Sequence, residues 1–383
     1  MFKRLCSAKE ALGLLLDRCA PLERTELLPL PEAAGRVLSG DLVSPVGLPS
    51  FNRAAMDGFA VRAAETRGAS PSAPVYLEMF LPLRAGMEVP DGFDAVVMLE
   101  DSALRGSILE VTAPVHPFRN VARIGEDISR GDVVFREGHR LRPPDLAMLA
   151  ALGLEAVEVF ARPRVAIIPT GSELVVPGAR ALRPGEAYES NGLMAQLYVE
   201  RWGGQPQKQK TLPDDPGLIR EALESKPDAD MIIIIGGTSV GEKDYAPRVL
   251  AEAGLLLVHG VRVQPGKPTA LGAVGRTPVV CLPGYPVAAF SGLYLFIRPA
   301  LKKLAHLDDD VPMTHACLSG KIASRPGYLS IVRVSLKCGE AEPIMTSGAG
   351  ILSSVARADG FVIVPEEREG MEAGEMVEVT LIE

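Results

Sequence analysis

At 383 residues, with 47% hydrophobic and 23% charged side chains, the chain has room for two or more domains with cores of their own. Its net charge of −8 comes with no basic stripe, which excludes a general nucleic-acid binder and leaves anions to be held by a local pocket. Cys6, Cys19, Cys281, Cys317 and Cys338 are scattered and form no C-x-x-C pair, which argues against a disulfide framework or zinc site and fits a reducing cytosol.

In chain order, Ser7 and Glu10 read as a capping box for a surface helix with Ala8, Ala11, Leu12, Leu15 and Cys19 on one face. Residues 45–131 hold short apolar runs such as "DAVVML" and "SILEVTAPV", broken by Gly and Pro, which predict a small β-rich domain. Its flanks, 1–44 and 132–161, read as a two-segment linker domain with a helix from about Pro144 to Leu152, so the β-rich piece is an insertion. From 162 to 309 strands and helices alternate. "RVAIIPTG", "DMIIIIGG" and "TPVVCLPG" are strands. "SNGLMAQLYVERWG", "DDPGLIREAL", "YAPRVLAEAG" and a long segment from Pro286 are helices. That texture predicts a parallel sheet covered on both faces. Residues 310–383 read as all-β. The longest apolar run, "VAAFSGLYLFI", is too short to span a bilayer.

Ligands of such sheets sit beyond the carboxyl ends of the strands. The loops there are "PTGSEL", "GGTSVGEKDY" and "LPGYPVAA". Gly236, Gly237 and Gly241 would let backbone come close to a phosphate, and Thr238 and Ser239 add hydroxyls. The spacing is neither Walker A nor G-x-G-x-x-G. Glu173, Glu242, Asp244 and Asp214 supply the hard oxygens that Mg²⁺ takes beside phosphates. Plainer readings stand beside these: Gly-Gly can end a strand, Asp214 can cap the helix before Pro216, and Asp57 can serve an Asp-Gly turn.

In sequence order, "AAMDGFAV", "PDGFDAVVMLED", "GEDISRGDVV", "RVAIIPTGSEL", "LPDDP", "GGTSVGEKDY", "QPGKPTALG" and "CLPGYPVAA" resemble the molybdopterin molybdotransferases, whose relatives include the gephyrin E domain. The resemblance spans nearly the whole chain. It implies a multidomain fold: the two-segment linker, the inserted β domain, a doubly wound α/β domain similar to molybdopterin-adenylyltransferase, and a C-terminal β-barrel. It also implies a cytoplasmic homodimer with its active site in a cleft between subunits, and molybdopterin-adenylyltransferase as a partner. The implied reaction is Mg²⁺-dependent insertion of molybdate or tungstate into adenylyl-molybdopterin with release of AMP. Carried over by position, the acidic site residues are Asp57, Asp127, Glu173, Asp214 and Asp244, with Asp57 and Asp244 as metal ligands. Pro283 and Pro286 match the family's loop prolines, Lys267 and Pro268 its oxyanion pocket, and Arg333 a basic residue of the tail.

Departures fall mostly among polar anion contacts. Ala85 stands where a threonine is usual, Gln264 where a lysine is usual, Tyr285 where an asparagine is usual, and Ala349 near a serine of the tail. Two alternatives accompany the enzyme reading: a divergent paralogue that carries the pterin nucleotide without efficient metal insertion, and a scaffold like gephyrin. The retained carboxylates favour the enzyme.

Overall fold

The computed structural model describes residues 5–225, 228–238, 245–344 and 350–383. It divides into two compact units, Thr25–Val159 and a larger one comprising the chain up to Arg24 together with Phe160–Glu383. Among the described residues no helix is long and apolar enough to cross a membrane.

The larger unit is built on a six-stranded sheet in the order Gln205–Lys208, Arg164–Pro169, Met231–Ile235, Thr277–Leu282, Ala270–Val274, Leu255–His259. The first four strands are parallel, and the last two continue antiparallel from the hairpin that joins Ala270–Val274 to Thr277–Leu282. Every residue of Met231–Ile235 is buried, which requires cover on both faces and explains the unbroken isoleucine run. Met231, Ile233 and Ile235 face Ala195 and Val199 of the helix Asn191–Arg201, its capping residue Trp202, and the long helical segment from Pro286. Ile232 and Ile234 face Ile219, Leu223, Val249 and Leu250 of the helices Pro216–Glu224 and Ala246–Ala253. The helix Ala8–Leu16 buries Ala8, Ala11 and Leu15 in the first of these cores, and the Ser7 hydroxyl accepts from the Glu10 amide.

The long segment from Pro286 is not one α-helix. It runs as Pro286–Gly292, a π turn at Leu293–Ile297, and Arg298–Leu304. Pro299 has no N–H to donate to a preceding turn, so the ladder is interrupted near it. Beyond this segment five strands close into a barrel: Leu329–Lys337, Glu340–Pro343, Met313–Leu318, Met376–Leu381 and Gly360–Val364, the last pairing back to the first. Phe361 of the barrel meets Phe290 and Tyr294 at ring-centroid distances of 5.7 and 5.0 Å, so barrel and α/β layer share one core. The short strand Val263–Gln264 pairs in parallel with Leu329 and Ser330 and ties the two together again.

The smaller unit holds two three-stranded sheets. One contains Gly58–Val61 between Leu81–Leu83 and Ala95–Met98; the other contains Ile108–Val111 between Val75–Leu77 and Ser102–Arg105. A separate apolar cluster (Leu30, Ala33, Leu38, Leu141, Leu149, Val157, Val159) surrounds the helix Pro143–Ala151 and the pair Thr25–Pro29 with Ala156–Phe160. Asp145, 3% exposed, fixes the start of that helix. It accepts from the Arg142 amide at 2.8 Å, from the Arg142 guanidinium at 3.0 Å, and lies 2.8 Å from His139 Nε2.

Hydrogen bonds from the Arg142 side chain, chiefly, with those of His139 and the Arg142 amide, hold the Asp145 carboxyl well below the ordinary carboxylate range against the opposing effect of burial. A depressed folded-state pKa adds stability that is fully present above the unfolded value near 4 and is lost as pH falls below it. We expect Asp145→Asn to cost on the order of 1–3 kcal/mol at pH 7. In denaturant titrations across pH 2–7 that deficit should shrink in the acid limb; a deficit constant with pH would remove the charge from the account.

Candidate active site

Three strand-end loops of the larger unit converge. After Arg164–Pro169 the chain passes through Thr170, Gly171, Ser172 and Glu173; the Thr170 amide donates to the Ile235 carbonyl at 2.7 Å and the Gly171 amide to Leu212 at 3.0 Å. Gly236 has φ +109, and a Cβ there would lie 2.3 Å from the Thr170 carbonyl oxygen. Only glycine lets these two backbones meet. On its other side Gly236 donates to the Leu282 carbonyl, and a Cβ on Gly284 would come 3.7 Å from the Gly236 Cα. The chain directly after Arg164–Pro169, Met231–Ile235 and Thr277–Leu282 therefore shares one small volume.

Carboxylates accompany them. The Ser172 amide donates to Asp214 Oδ2 at 3.1 Å, and the Asp214 amide donates back to the Ser172 hydroxyl at 3.0 Å. The cap of the helix Pro216–Glu224 is the neighbouring Asp215, whose side chain accepts from the Leu218 amide. Asp214 is thus spared the capping work that composition alone allowed it. Glu173 is exposed, and its Oε1 lies where a Cβ on Gly171 would come within 3.0 Å. The structure brings Glu173, Asp214, Gly236 and Gly237 together. Thr238 is buried; Ser239, Gly241, Glu242 and Asp244 lie outside the described residues, as does Ala349.

In the smaller unit Asp57 sits exposed in the turn before Gly58–Val61 and accepts from the Ala85 amide at 2.7 Å. The bond comes from backbone, so alanine at position 85 supplies it. A Cβ on Gly58 would lie 2.0 Å from the Val97 carbonyl oxygen, which dictates the glycine of this Asp-Gly pair. Asp127 is exposed in another turn, its amide donating to the Leu48 carbonyl.

Beside the converging loops the larger unit forms an open cavity of about 820 Å³, between the segment Val263–Pro268, the Pro283–Tyr285 loop and the barrel strand Leu329–Lys337. Lys267, Pro268, Pro283 and Arg333 line it, as does Gln264; Pro286 begins the adjoining helix and is not among the lining residues. Arg333 is 7% exposed and donates to the Ser354 hydroxyl and the Ile331 carbonyl, both at 3.3 Å, while burial pushes its pKa down. Lys267, Arg325 and Arg333 are its charged lining residues, and no Asp or Glu lines it among the described residues. A cavity so lined selects anions.

Residues 6–153 match the model of the MoeA N-terminal region (domain I and II), 166–303 that of a probable molybdopterin binding domain, and 315–382 that of the MoeA C-terminal region (domain IV). The chain belongs to the MoeA family. A molybdopterin molybdenumtransferase 2 of Mycobacterium tuberculosis is 33% identical, over 95% of this chain and 96% of its own. A putative molybdopterin biosynthesis protein of Methanocaldococcus jannaschii is 34% identical, over 97% and 95%. The solved structure of a molybdopterin biosynthesis MoeA protein from Pyrococcus horikosii superposes with a TM-score of 0.88 at 32% identity, covering 99% of each chain.

Some site residues had no readable signal. Ser324, Arg325, Tyr328 and Ser330 form the barrel wall of the cavity, with the two serine hydroxyls 2.8 Å apart and the Arg325 guanidinium 4.7 Å from the Tyr328 ring. No strand-end rule places ligands on a barrel, and no short-range pattern singles out "SRPGYLS". Glu189 was missed too. It is 3% exposed, pairs with Lys208 at 2.6 Å and accepts from the Gly192 amide, and it anchors the helix whose Asn191 donates to the Gly284 carbonyl at 2.7 Å.

The close approach at Gly236 gives a direct test. Gly236→Ala should lower unfolding free energy by more than about 2 kcal/mol, combining a disfavoured φ with a backbone clash. Gly237→Ala, whose Cβ would meet nothing nearer than 3.6 Å, should cost clearly less. Equal shifts in denaturation midpoint would contradict this packing.

Proposed function

We propose that the protein is a cytoplasmic molybdopterin molybdotransferase of molybdenum cofactor biosynthesis, inserting molybdate or tungstate into adenylyl-molybdopterin with release of AMP. The observation that carries this reading is the cationic cavity lined by Lys267, Arg325 and Arg333, which shares the Pro283–Tyr285 segment with the loops that bring Glu173 and Asp214 to the ends of the strands. Lys267 and Arg333 hold the oxyanion. Gly236 and Gly237 let backbone approach the phosphates, and Glu173 and Asp214 orient the attacking water or accept its proton.

Mg²⁺ takes oxygen donors, commonly one or two carboxylates completed by substrate phosphates. The exposed Asp57 fits that chemistry, and among the described residues no cluster of three or more such side chains stands ready to hold a metal unaided. Asp57 and Asp244 would hold the ion, which supplies positive charge to the phosphates when bound.

Purified protein incubated with adenylyl-molybdopterin and Mg²⁺ should release AMP only when molybdate or tungstate is added. An equal rate without oxyanion sinks coupled insertion and leaves the carrier reading. Gln264→Lys should lower the half-saturating molybdate concentration about five- to tenfold, since a charged hydrogen bond replaces a neutral one at a gain of roughly 1 kcal/mol. Lys267→Ala should raise it by more than that. Unchanged half-saturation in both variants would move the oxyanion elsewhere.

The homodimer proposed with this reading completes each site with Asp57 of one subunit and Asp244 of the other. Inactive Asp57→Asn mixed with inactive Asp244→Asn should then recover part of the wild-type turnover after subunit exchange. No recovery once exchange is verified would argue for sites complete within one chain.

A further inference from the structure

The cavity is far larger than an oxyanion requires. A tetrahedral oxyanion has the bulk of a few waters, roughly 120 Å³ at about 30 Å³ each. The 820 Å³ here lies instead among pockets that enclose whole organic ligands. Its remaining lining is mostly apolar, including Val263, Ala288, Ile331 and Ile344.

One aromatic side chain of that lining is placed to be used. Tyr285 is 66% exposed, and among the described residues its ring stacks on no other ring and on no guanidinium. A lone exposed aromatic is ordinary on a protein surface. This one differs in being a cavity residue on a rigid mount. Its neighbours Pro283, buried, and Pro286, at the first helical position, fix their own φ, and Asn191 holds the intervening Gly284 carbonyl. A Cβ built on Gly350 would come 3.5 Å from the ring, so the glycine leaves open space along that edge. Tyr328, the other tyrosine of the cavity, already carries Arg325 over its ring.

We propose that Tyr285 is a specificity-determining residue whose ring is the stacking platform for the pterin half of the substrate. This rests on the reading above, in which Lys267 and Arg333 hold the oxyanion. The dithiolene sulfurs that receive the metal are carried by the pterin half, so the planar ring nearest the oxyanion is the pterin and not adenine. The nucleotide half then extends toward the loops of Gly236 and Glu173. A flat π-face suits the planar pyrimidinone ring of a pterin without demanding hydrogen-bond register, and a phenol provides one where an asparagine cannot.

The test uses the full chain and two probes, pterin-6-carboxylate followed by its fluorescence and AMP followed by calorimetry. Tyr285→Ala and Tyr285→Asn should each weaken pterin-6-carboxylate about tenfold and leave AMP unchanged, whereas Tyr285→Phe should keep wild-type binding of both. In turnover, Tyr285→Ala should raise KM for adenylyl-molybdopterin while half-saturation by molybdate holds. An equal loss for AMP would assign the ring to adenine, and a Tyr285→Phe defect as large as that of alanine would assign the effect to the hydroxyl. Either result overturns the proposal, as does unchanged pterin binding in Tyr285→Ala. Wild-type AMP release is measured alongside. If it fails to depend on oxyanion, the underlying reading falls; if it does depend while Tyr285→Ala is silent, only the pterin platform falls.

Discussion

The larger unit turns on a contact between two pieces of main chain. Gly236 can follow the isoleucine strand only because nothing occupies the space between its Cα and the Thr170 carbonyl. That contact brings the loops after neighbouring parallel strands into register, and Gly284 reaches the same point from the far side. A doubly covered strand must lie inside the sheet, so the loop at its end is flanked by two other loops by construction. Chemistry needing backbone donors and carboxylates within a few ångströms finds both there without any long side chain having to be ordered.

The carboxylates illustrate how labour is divided in such a place. Asp214 and Asp215 are adjacent, and either could cap the helix that follows. Asp215 does so, accepting from Leu218, while Asp214 turns back and exchanges hydrogen bonds with Ser172. A single aspartate would have to choose between starting the helix and facing the ligand loops. Two let the helix be capped at a gain of about 1 kcal/mol and still leave a carboxylate at the strand ends. Sequence could place an acid there, yet "DDP" does not say which one caps, because that depends on where the Ser172 turn lands.

Legibility follows the range of the forces involved. The isoleucine strand, the helices beginning at Pro216 and Asn191, and the helix capped by Ser7 are set by local periodicity and caps, and all stand in the structure. The strand-end loops were legible because parallel sheets put ligand sites at a fixed end. The π turn at Leu293–Ile297 was not, since an apolar helical run looks the same with either hydrogen-bond register. Nor was the barrel wall of the cavity, because Val263–Gln264 meets Leu329 and Ser330 across more than sixty residues of chain, and no short-range pattern announces such a pairing. Gln264 does two things at once: it ends the short strand, with an exposed side chain, and it lines the cavity.

Charge supplies the selectivity that shape alone would lack. With a net charge of −8 the chain as a whole repels anions, and screening confines that repulsion to roughly a Debye length, about 8 Å at physiological salt. An anion is therefore attracted only where cations gather locally, as Lys267, Arg325 and Arg333 do in the lining of the cavity. Arg333 adds a further condition by being buried: a guanidinium away from water has lost hydration that an incoming anion can replace, so its attraction is stronger than that of an exposed lysine at the same distance. The cost of burying it is offset by Ser354 and the Ile331 carbonyl, which hold its planar group in place. An oxyanion that entered the cavity would meet a donor already oriented, and would gain affinity from order that the fold itself supplies.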